Sequence, residues 1–122
     1  MDELMELLHD NGISVIILAT PTAAPPAWLC RLYSNVLPVD ARGARYGYGS
    51  RRHYCPNSPN YRRYAWEIAT RLAERYGRHP ALSYWHVDNE YGGHISACYC
   101  KRCVGSFQGL APTAIRDAGT PE

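Results

Sequence analysis

The fold class follows from one segment, Ala81-Leu-Ser-Tyr-Trp-His-Val-Asp-Asn-Glu-Tyr-Gly92. Its first seven residues are mostly apolar and include aromatic and β-branched types, which predicts a short buried strand. A polar stretch carrying the carboxylate of Glu90 follows directly at the end of this strand. Because a helical pattern precedes the strand, the local order of elements is that of an alternating α/β fold.

The helix before this strand has the clearest start and stop signals in the chain. Ser58 can cap its first turn, and Pro59 suits the first helical position. Gly77 ends the helix, and Pro80 prevents it from continuing. Apolar residues recur at helical spacing along one face, namely Tyr61, Tyr64, Ala65, Ile68, Leu72 and Tyr76.

A second apolar run, Ile13-Ser-Val-Ile-Ile-Leu-Ala19, predicts a strand that is buried on both faces, as in a parallel sheet covered by helices. Residues 2 to 10, which precede it, are predicted to be the end of a helix. Strand, helix and strand together predict a right-handed βαβ unit.

Three prolines between Thr20 and Trp28 predict a stiff loop at the carboxyl end of the first strand, where barrel enzymes build substrate sites. Trp28 could stack on a sugar ring or pack this loop onto the barrel.

Length and composition indicate one soluble domain. The chain has 122 residues and a net charge of +2, and its arginines are scattered, which argues against a nucleic-acid partner. No apolar run approaches the roughly 20 residues that a membrane helix needs. No secretory signal is visible, so we expect a cytoplasmic protein. Ten tyrosines against one phenylalanine suit either a sugar-binding cleft or packing at interfaces.

The cysteines form a pattern typical of a metal site. Three of the five lie in one short stretch, Cys98-Tyr-Cys-Lys-Arg-Cys103, and Cys55 precedes the long helix as the natural fourth. Four thiolates close a tetrahedral structural zinc site, which predicts Zn²⁺ on Cys55, Cys98, Cys100 and Cys103. The alternative is reduced cysteines without a metal. Cys30 is left over as a packed or free thiol, and His53 and His94 are possible substitute ligands.

Glu90 has the setting of a general acid. Cleaving a glycosidic bond needs two carboxyl groups, one of which protonates the leaving oxygen. An apolar setting such as the strand that contains Trp85 favours the protonated form of a carboxyl group. Asn89 could bind a sugar hydroxyl, and Asp88 is interpreted as a support residue. The alternative is an Asn-Glu pair that caps or salt-bridges a loop.

Four segments together resemble glycoside hydrolase family 42, the β-galactosidases. They are residues 18–29, residues 52–59, Trp85 to Gly92, and Cys98 to Cys103. The resemblance covers roughly Asp2 to Phe107. It implies a (β/α)₈ barrel, of which the chain would hold roughly strands two to four in a partial catalytic domain over residues 1–107. Residues 108–122 would then be a divergent tail.

The resemblance also implies roles for individual residues. Glu90 would be the proton donor at the end of strand four, and Asn89 and Arg51 would bind the substrate. The cysteine cluster would bind structural zinc. The implied reaction is hydrolysis of terminal β-D-galactosides with retention of configuration, by a full-length enzyme that is typically a homotrimer.

The family's nucleophile, a second glutamate on strand seven, has no counterpart here. After Glu90 the only carboxylate side chains are Asp117 and Glu122. We therefore expect a fragment, with an N-terminus that could be truncated, and no activity from the chain alone. Two alternatives are a small non-catalytic zinc-binding module and a related barrel glycosidase with another sugar preference.

Overall fold

The structure is a computed structural model that describes residues 1–18, 24–88 and 95–110. Over these ranges the elements are α1 (Asp2–Asp10), β1 (Val15–Leu18), α2 (Ala27–Leu32), a 3₁₀ turn (Ser34–Val36), α3 (Pro59–Tyr76), β2 (Leu82–His86) and α4 (Lys101–Leu110). The predicted first helix, both predicted strands and the long helix are therefore confirmed. No helix in the described parts of the chain combines the length and apolarity that crossing a membrane requires.

β1 and β2 are parallel and adjacent, as a βαβ unit requires. Ile17 pairs with Trp85 and Leu18 with His86, so both strands end at the same edge of the sheet. Segments that leave this edge can meet in space. The α/β class is confirmed. The prediction of roughly strands two to four implies three strands, whereas the described ranges contain two.

The prediction that β1 is buried on both faces is wrong, and β2, which was predicted to be buried, is also open on one face. Ile17 is 7% exposed, but its neighbour Ile16 is 62% exposed, and Tyr84, which pairs with Ile16, is 70% exposed. The physical reason is that α1 and α3 cover one face of the pair. Successive side chains alternate between faces, so Ile16 and Tyr84 lie on the other face.

Two apolar clusters hold the elements together. One joins α1, β1, the end of α3 and the start of β2 through Met5, Ile17, Tyr76 and Ala81. The other joins α2, the 3₁₀ turn and the start of α3 through Leu29, Cys30, Val36, Leu37 and Tyr61. Cys30 is therefore a packed thiol, and burial raises its pKa. The second cluster supports the segment that contains Cys55.

Two element boundaries differ from the sequence prediction. The proline-rich stretch was expected to stay irregular to Trp28, but α2 begins at Ala27, because an extended Pro26 can precede a helix. Two roles were considered for Trp28, stacking on a sugar and packing its loop. The structure shows packing, because Trp28 lies edge-on against Tyr64 of α3 with ring centroids 5.3 Å apart. α4 continues to Leu110, so the proposed boundary after residue 107 falls inside a helix.

The predicted cap of α3 is confirmed. The backbone N–H of Tyr61 donates to Ser58 Oγ at 3.2 Å, and Pro59 is the first helical residue. The Ser58 hydroxyl, which is fully buried, donates in turn to Asn35 Oδ1 at 2.9 Å. The Ser58 hydroxyl thus accepts a hydrogen bond from a free N–H group in the first turn of α3 and also ties this turn to the 3₁₀ turn.

We expect Ser58→Ala to lower the free energy of unfolding by about 1–2 kcal/mol, because both hydrogen bonds are lost at a buried site. Chemical denaturation measures the change. Ser106→Ala, an exposed serine in α4, is the matched control and should leave stability unchanged. Equal midpoints for the Ser58 variant and the wild type would contradict this account of the cap.

Asp2 links the start of α1 to the end of α3. Arg75 Nε donates to its carboxylate at 2.7 Å, and the Tyr76 hydroxyl donates at 2.6 Å. These hydrogen bonds hold the pKa of Asp2 well below its usual range. A carboxyl group with a lowered folded-state pKa stabilises the fold above its unfolded-state pKa of about 3.9, and this stabilisation is lost as the pH falls toward the folded-state value.

Asp2→Asn is therefore expected to lower the melting temperature at pH 7, and the difference from the wild type should shrink as the pH falls below about 4. Thermal unfolding followed by circular dichroism at pH 7, 4 and 3 measures the effect. Asp10→Asn, at the other end of α1, is the control. A difference between the Asp2 variant and the wild type that persists unchanged at pH 3 would contradict the linkage.

Candidate functional site

The structure brings the four predicted metal ligands together. The sulfurs of Cys55, Cys98, Cys100 and Cys103 all lie within 4.8 Å of one another. Cys55 Sγ is 3.4 Å from Cys103 Sγ and 3.8 Å from Cys100 Sγ. Tetrahedral zinc–thiolate bonds of ~2.3 Å place sulfurs ~3.8 Å apart, so the spacing of this set is close to that of a four-sulfur metal site.

Backbone hydrogen bonds fix both loops that carry the sulfurs. The N–H of Cys55 donates to Val36 O at 2.7 Å, and the carbonyl of Cys55 accepts from Ser58 N–H at 3.0 Å, at the cap of α3. On the other loop, Tyr99 N–H donates to Val39 O at 2.8 Å. The cluster therefore joins the start of α3 to the start of α4.

The sulfurs differ in their affinity for protons. Burial, together with the Cys103 thiol, raises the pKa of Cys55. Burial also raises the pKa of Cys103. Burial would raise the pKa of Cys100 too, but hydrogen bonds from the Cys103 backbone and from the other thiols lower it to about 7. A divalent cation that binds all four sulfurs must displace the remaining protons.

Of the two alternative histidine ligands, His53 is not part of this cluster. His53 Nδ1 lies 2.7 Å from Gly47 O, and its ring packs against Tyr46. His94 lies outside the described residues.

The predicted galactoside site comprises Glu90, Asn89 and Arg51. Two of them, Asn89 and Glu90, are outside the described residues, which stop at Asp88 on this side. Arg51 is exposed and lies in the turn that precedes Cys55.

Arg52 is not among the predicted site residues, and the structure pairs its side chain with Asp88. Its Nη2 lies 3.5 Å from Asp88 Oδ2, and the two side chains are only 13% and 16% exposed. Arg52 also has a φ of +57°, a left-handed conformation that is uncommon for a residue with a side chain. The ion pair agrees with the interpretation of Asp88 as a support residue. The sequence signal that points to Arg52 is the pair of adjacent arginines, Arg51 and Arg52, shortly before Cys55.

A cleft of about 330 Å³ adjoins this ion pair. It is lined by Arg52, Tyr54, Pro56, Asp88 and residues 95–98. Its volume is at the lower end for small-molecule sites, and its wall combines an aromatic ring with charged groups. Such a wall can hydrogen-bond the hydroxyls of a sugar and cover its apolar face. Cys98 belongs to both the cleft and the cysteine cluster, so the two are contiguous.

Comparison with known families identifies a family that covers most of the chain. The model of glycoside hydrolase family 42, described as Beta-galactosidase, matches residues 1–115. The Beta-galactosidase LacZ of Heyndrickxia coagulans is 56% identical over 108 residues, which are 88% of this chain and 16% of that protein. The Beta-galactosidase BgaA of a Thermus species is 50% identical over 110 residues, 89% of this chain and 17% of that protein.

Solved structures agree with these sequences. A catalytic mutant of Gan42B, a GH42 beta-galactosidase from G. stearothermophilus, matches with a TM-score of 0.84 and 40% identity over 94% of this chain and 16% of that chain. The cold-adapted beta-galactosidase of Rahnella sp. R3 matches with a TM-score of 0.82 and 41% identity, over 89% of this chain and 16% of that chain. The chain thus spans about one sixth of the length of the relatives that it matches.

Proposed function

The chain belongs to glycoside hydrolase family 42, and on that premise we propose that it is the part of a retaining β-galactosidase that supplies the proton donor. The observation that carries the proposal is the family match over residues 1–115, which includes the segment around Glu90. The parallel pair of β1 and β2, joined through α3, supports a place in a (β/α)₈ barrel. In such barrels the site is built at the carboxyl ends of the strands.

Glu90 is the acid and base of the proposed reaction. In the first step its carboxyl group gives a proton to the glycosidic oxygen while a second carboxylate attacks the anomeric carbon. In the second step the Glu90 carboxylate takes a proton from water, and the water oxygen displaces the enzyme carboxylate from the sugar. Asn89 and Arg51 hold the galactose. The family's nucleophile has no counterpart among these 122 residues, so the chain alone is proposed to be inactive.

Arg52 and Asp88 support this arrangement. Asp88 is two residues before Glu90, and its nearly buried ion pair with Arg52 ties the end of β2 to the turn that carries Arg51. Because both side chains are nearly buried, this ion pair restricts the backbone at Arg52 and at Asp88. The segment that leaves β2 therefore starts from a defined position, which a positioned general acid needs.

The cysteine cluster is proposed to bind zinc in a structural role. Four sulfur ligands leave no open coordination position for a substrate, so the ion would hold loops rather than take part in the chemistry. The loops it would hold are the wall of the cleft beside Asp88 and the start of α3. The sulfur spacing described above supports the fit.

A chimera tests the proposed function. The aligned 108 residues of this chain replace the matching segment of the Heyndrickxia coagulans β-galactosidase, and the product is hereafter called the barrel chimera. We expect it to hydrolyse aryl β-galactosides, with aryl β-glucosides as the specificity control. The isolated 122-residue chain should show no turnover. A folded barrel chimera without galactosidase activity would contradict the proposal, and turnover by the isolated chain would contradict its inactivity.

A further inference from the structure

Asn57 contacts two sulfurs of the cysteine cluster, one from each loop. Its side-chain Nδ2 donates to Cys103 Sγ at 3.4 Å. Its backbone N–H donates to the sulfur of Cys55, two residues earlier. The side chain of Asn57 is partly buried, and the residue precedes the cap of α3. A single residue therefore holds the sulfur that precedes α3 beside the sulfur at the start of α4.

The other two sulfurs receive backbone donors. Val39 N–H donates to Cys98 Sγ at 3.4 Å, and the N–H of Cys103 donates to the sulfur of Cys100. All four sulfurs thus accept an N–H hydrogen bond, three from the backbone and one from the Asn57 side chain. Only the last of these four donors can be removed by substitution without moving the main chain.

The charge of the site explains why such donors matter. Four thiolates around a divalent cation leave a net charge of −2, from four negative and two positive charges. A partly buried negative charge is costly unless hydrogen bonds or counter-charges compensate it. Hydrogen bonds from N–H groups withdraw electron density from the sulfurs and fix their directions. Partners of this kind orient metal ligands in many sites.

We propose that Asn57 is a positioning residue of the metal site, which orients and partly neutralises the Cys103 thiolate and thereby tightens the binding of a divalent cation. The inference rests on the proposed metal site and goes beyond it, because it assigns a role to a residue that is not a ligand. The amide is suited to this role because it donates without carrying charge. An aspartate of the same shape would offer only acceptors and would add a negative charge.

The test measures Zn²⁺ affinity of the 122-residue chain by competition with a chromophoric chelator. Asn57→Asp and Asn57→Ala are expected to weaken binding by about 10- to 100-fold, with the larger loss for the aspartate. Asn60→Asp makes the same change one turn away on α3, where the side chain bonds to Asn35 and not to a sulfur. This control should bind Zn²⁺ like the wild type.

Substitution by Co²⁺ separates positioning from a general loss of structure. Removing a donor makes a thiolate more electron-rich, so the sulfur-to-cobalt charge-transfer band of both Asn57 variants should move to longer wavelength, and that of Asn60→Asp should not. Unchanged affinity, or weakened affinity with an unshifted band, would overturn the inference and leave the metal site standing. A wild-type chain that binds neither ion would overturn both.

Discussion

Replacing Cys55 with serine is expected to abolish stoichiometric metal binding and to cause the largest loss of stability among single substitutions outside the two apolar clusters. Cys55 is 1% exposed and is the one ligand that precedes α3, while the other three lie within residues 98–103. Removing it leaves three sulfurs on a single loop. The ion could then no longer connect that loop to the rest of the chain.

The size of the effect follows from the energies involved. A structural zinc site contributes about 10–16 kcal/mol of apparent binding free energy, which is as large as the whole net stability of a typical domain, about 5–15 kcal/mol. Because the binding free energy of such a site is also folding free energy, losing one of four ligands should leave the chain partly unfolded at 37 °C. A buried serine hydroxyl does not replace the thiolate, since it stays protonated at neutral pH.

Metal content and chelator response measure this prediction. The wild type should hold close to one zinc per chain and melt at a lower temperature in a chelator, whereas Cys55→Ser should hold none and show no response. Cys30→Ala is the matched control, because Cys30 is also buried but lies in the second apolar cluster. It should keep its zinc. A Cys55 variant with one zinc and the wild-type chelator response would refute the assignment.

Local signals explain which parts of the fold could be predicted from the sequence. The boundaries of α3 depend on Ser58, Pro59 and Gly77, and all of these signals act within one turn of the helix. The parallel pairing of β1 and β2 follows from the connection between them, because a long crossover with a helix favours parallel strands. These elements were therefore predicted close to their observed positions.

Burial of the strands could not be predicted, since it depends on what covers each face. An apolar run such as Val15–Leu18 satisfies the pattern of a doubly buried strand whether or not a second layer is present. In this chain α1 and α3 cover Ile17, while Ile16 stays exposed. The start of α2 at Ala27 was missed for a different reason, because the prolines before it forbid a helix only where they stand.

The site shows the same division between local and tertiary information. The close spacing of Cys98, Cys100 and Cys103 made the cysteine cluster visible in the sequence. Cys55, 45 residues before Cys100, was added to the cluster because it precedes the long helix, and its sulfur lies 3.8 Å from that of Cys100. The contacts of Arg52 with Asp88 and of Asn57 with Cys103 depend on how two distant loops meet. No periodicity or spacing in the sequence reports such contacts.

In the barrel chimera, Glu90→Gln is expected to lower kcat for galactosides with poor leaving groups by about 10²- to 10⁴-fold, because the glycosidic oxygen then leaves without a proton. Glutamine keeps the shape of the residue but cannot donate an acid proton. Glu67→Gln is the matched control, since Glu67 is exposed on α3 and pairs only with the exposed Arg71 at 3.0 Å among its described contacts. It should leave kcat unchanged.

The dependence on the leaving group identifies the acid, which a loss of activity alone would not. A dinitrophenolate leaves without protonation, so the first step with that galactoside should be nearly as fast in Glu90→Gln as in the parent chimera. The second step still lacks its base, and the galactosyl-enzyme should accumulate. Azide needs no base to attack, so adding it should restore turnover and yield a β-galactosyl azide. A Glu90 variant that loses the same factor with every leaving group, and that azide does not rescue, would show that Glu90 supports the fold or binds the sugar without transferring the proton.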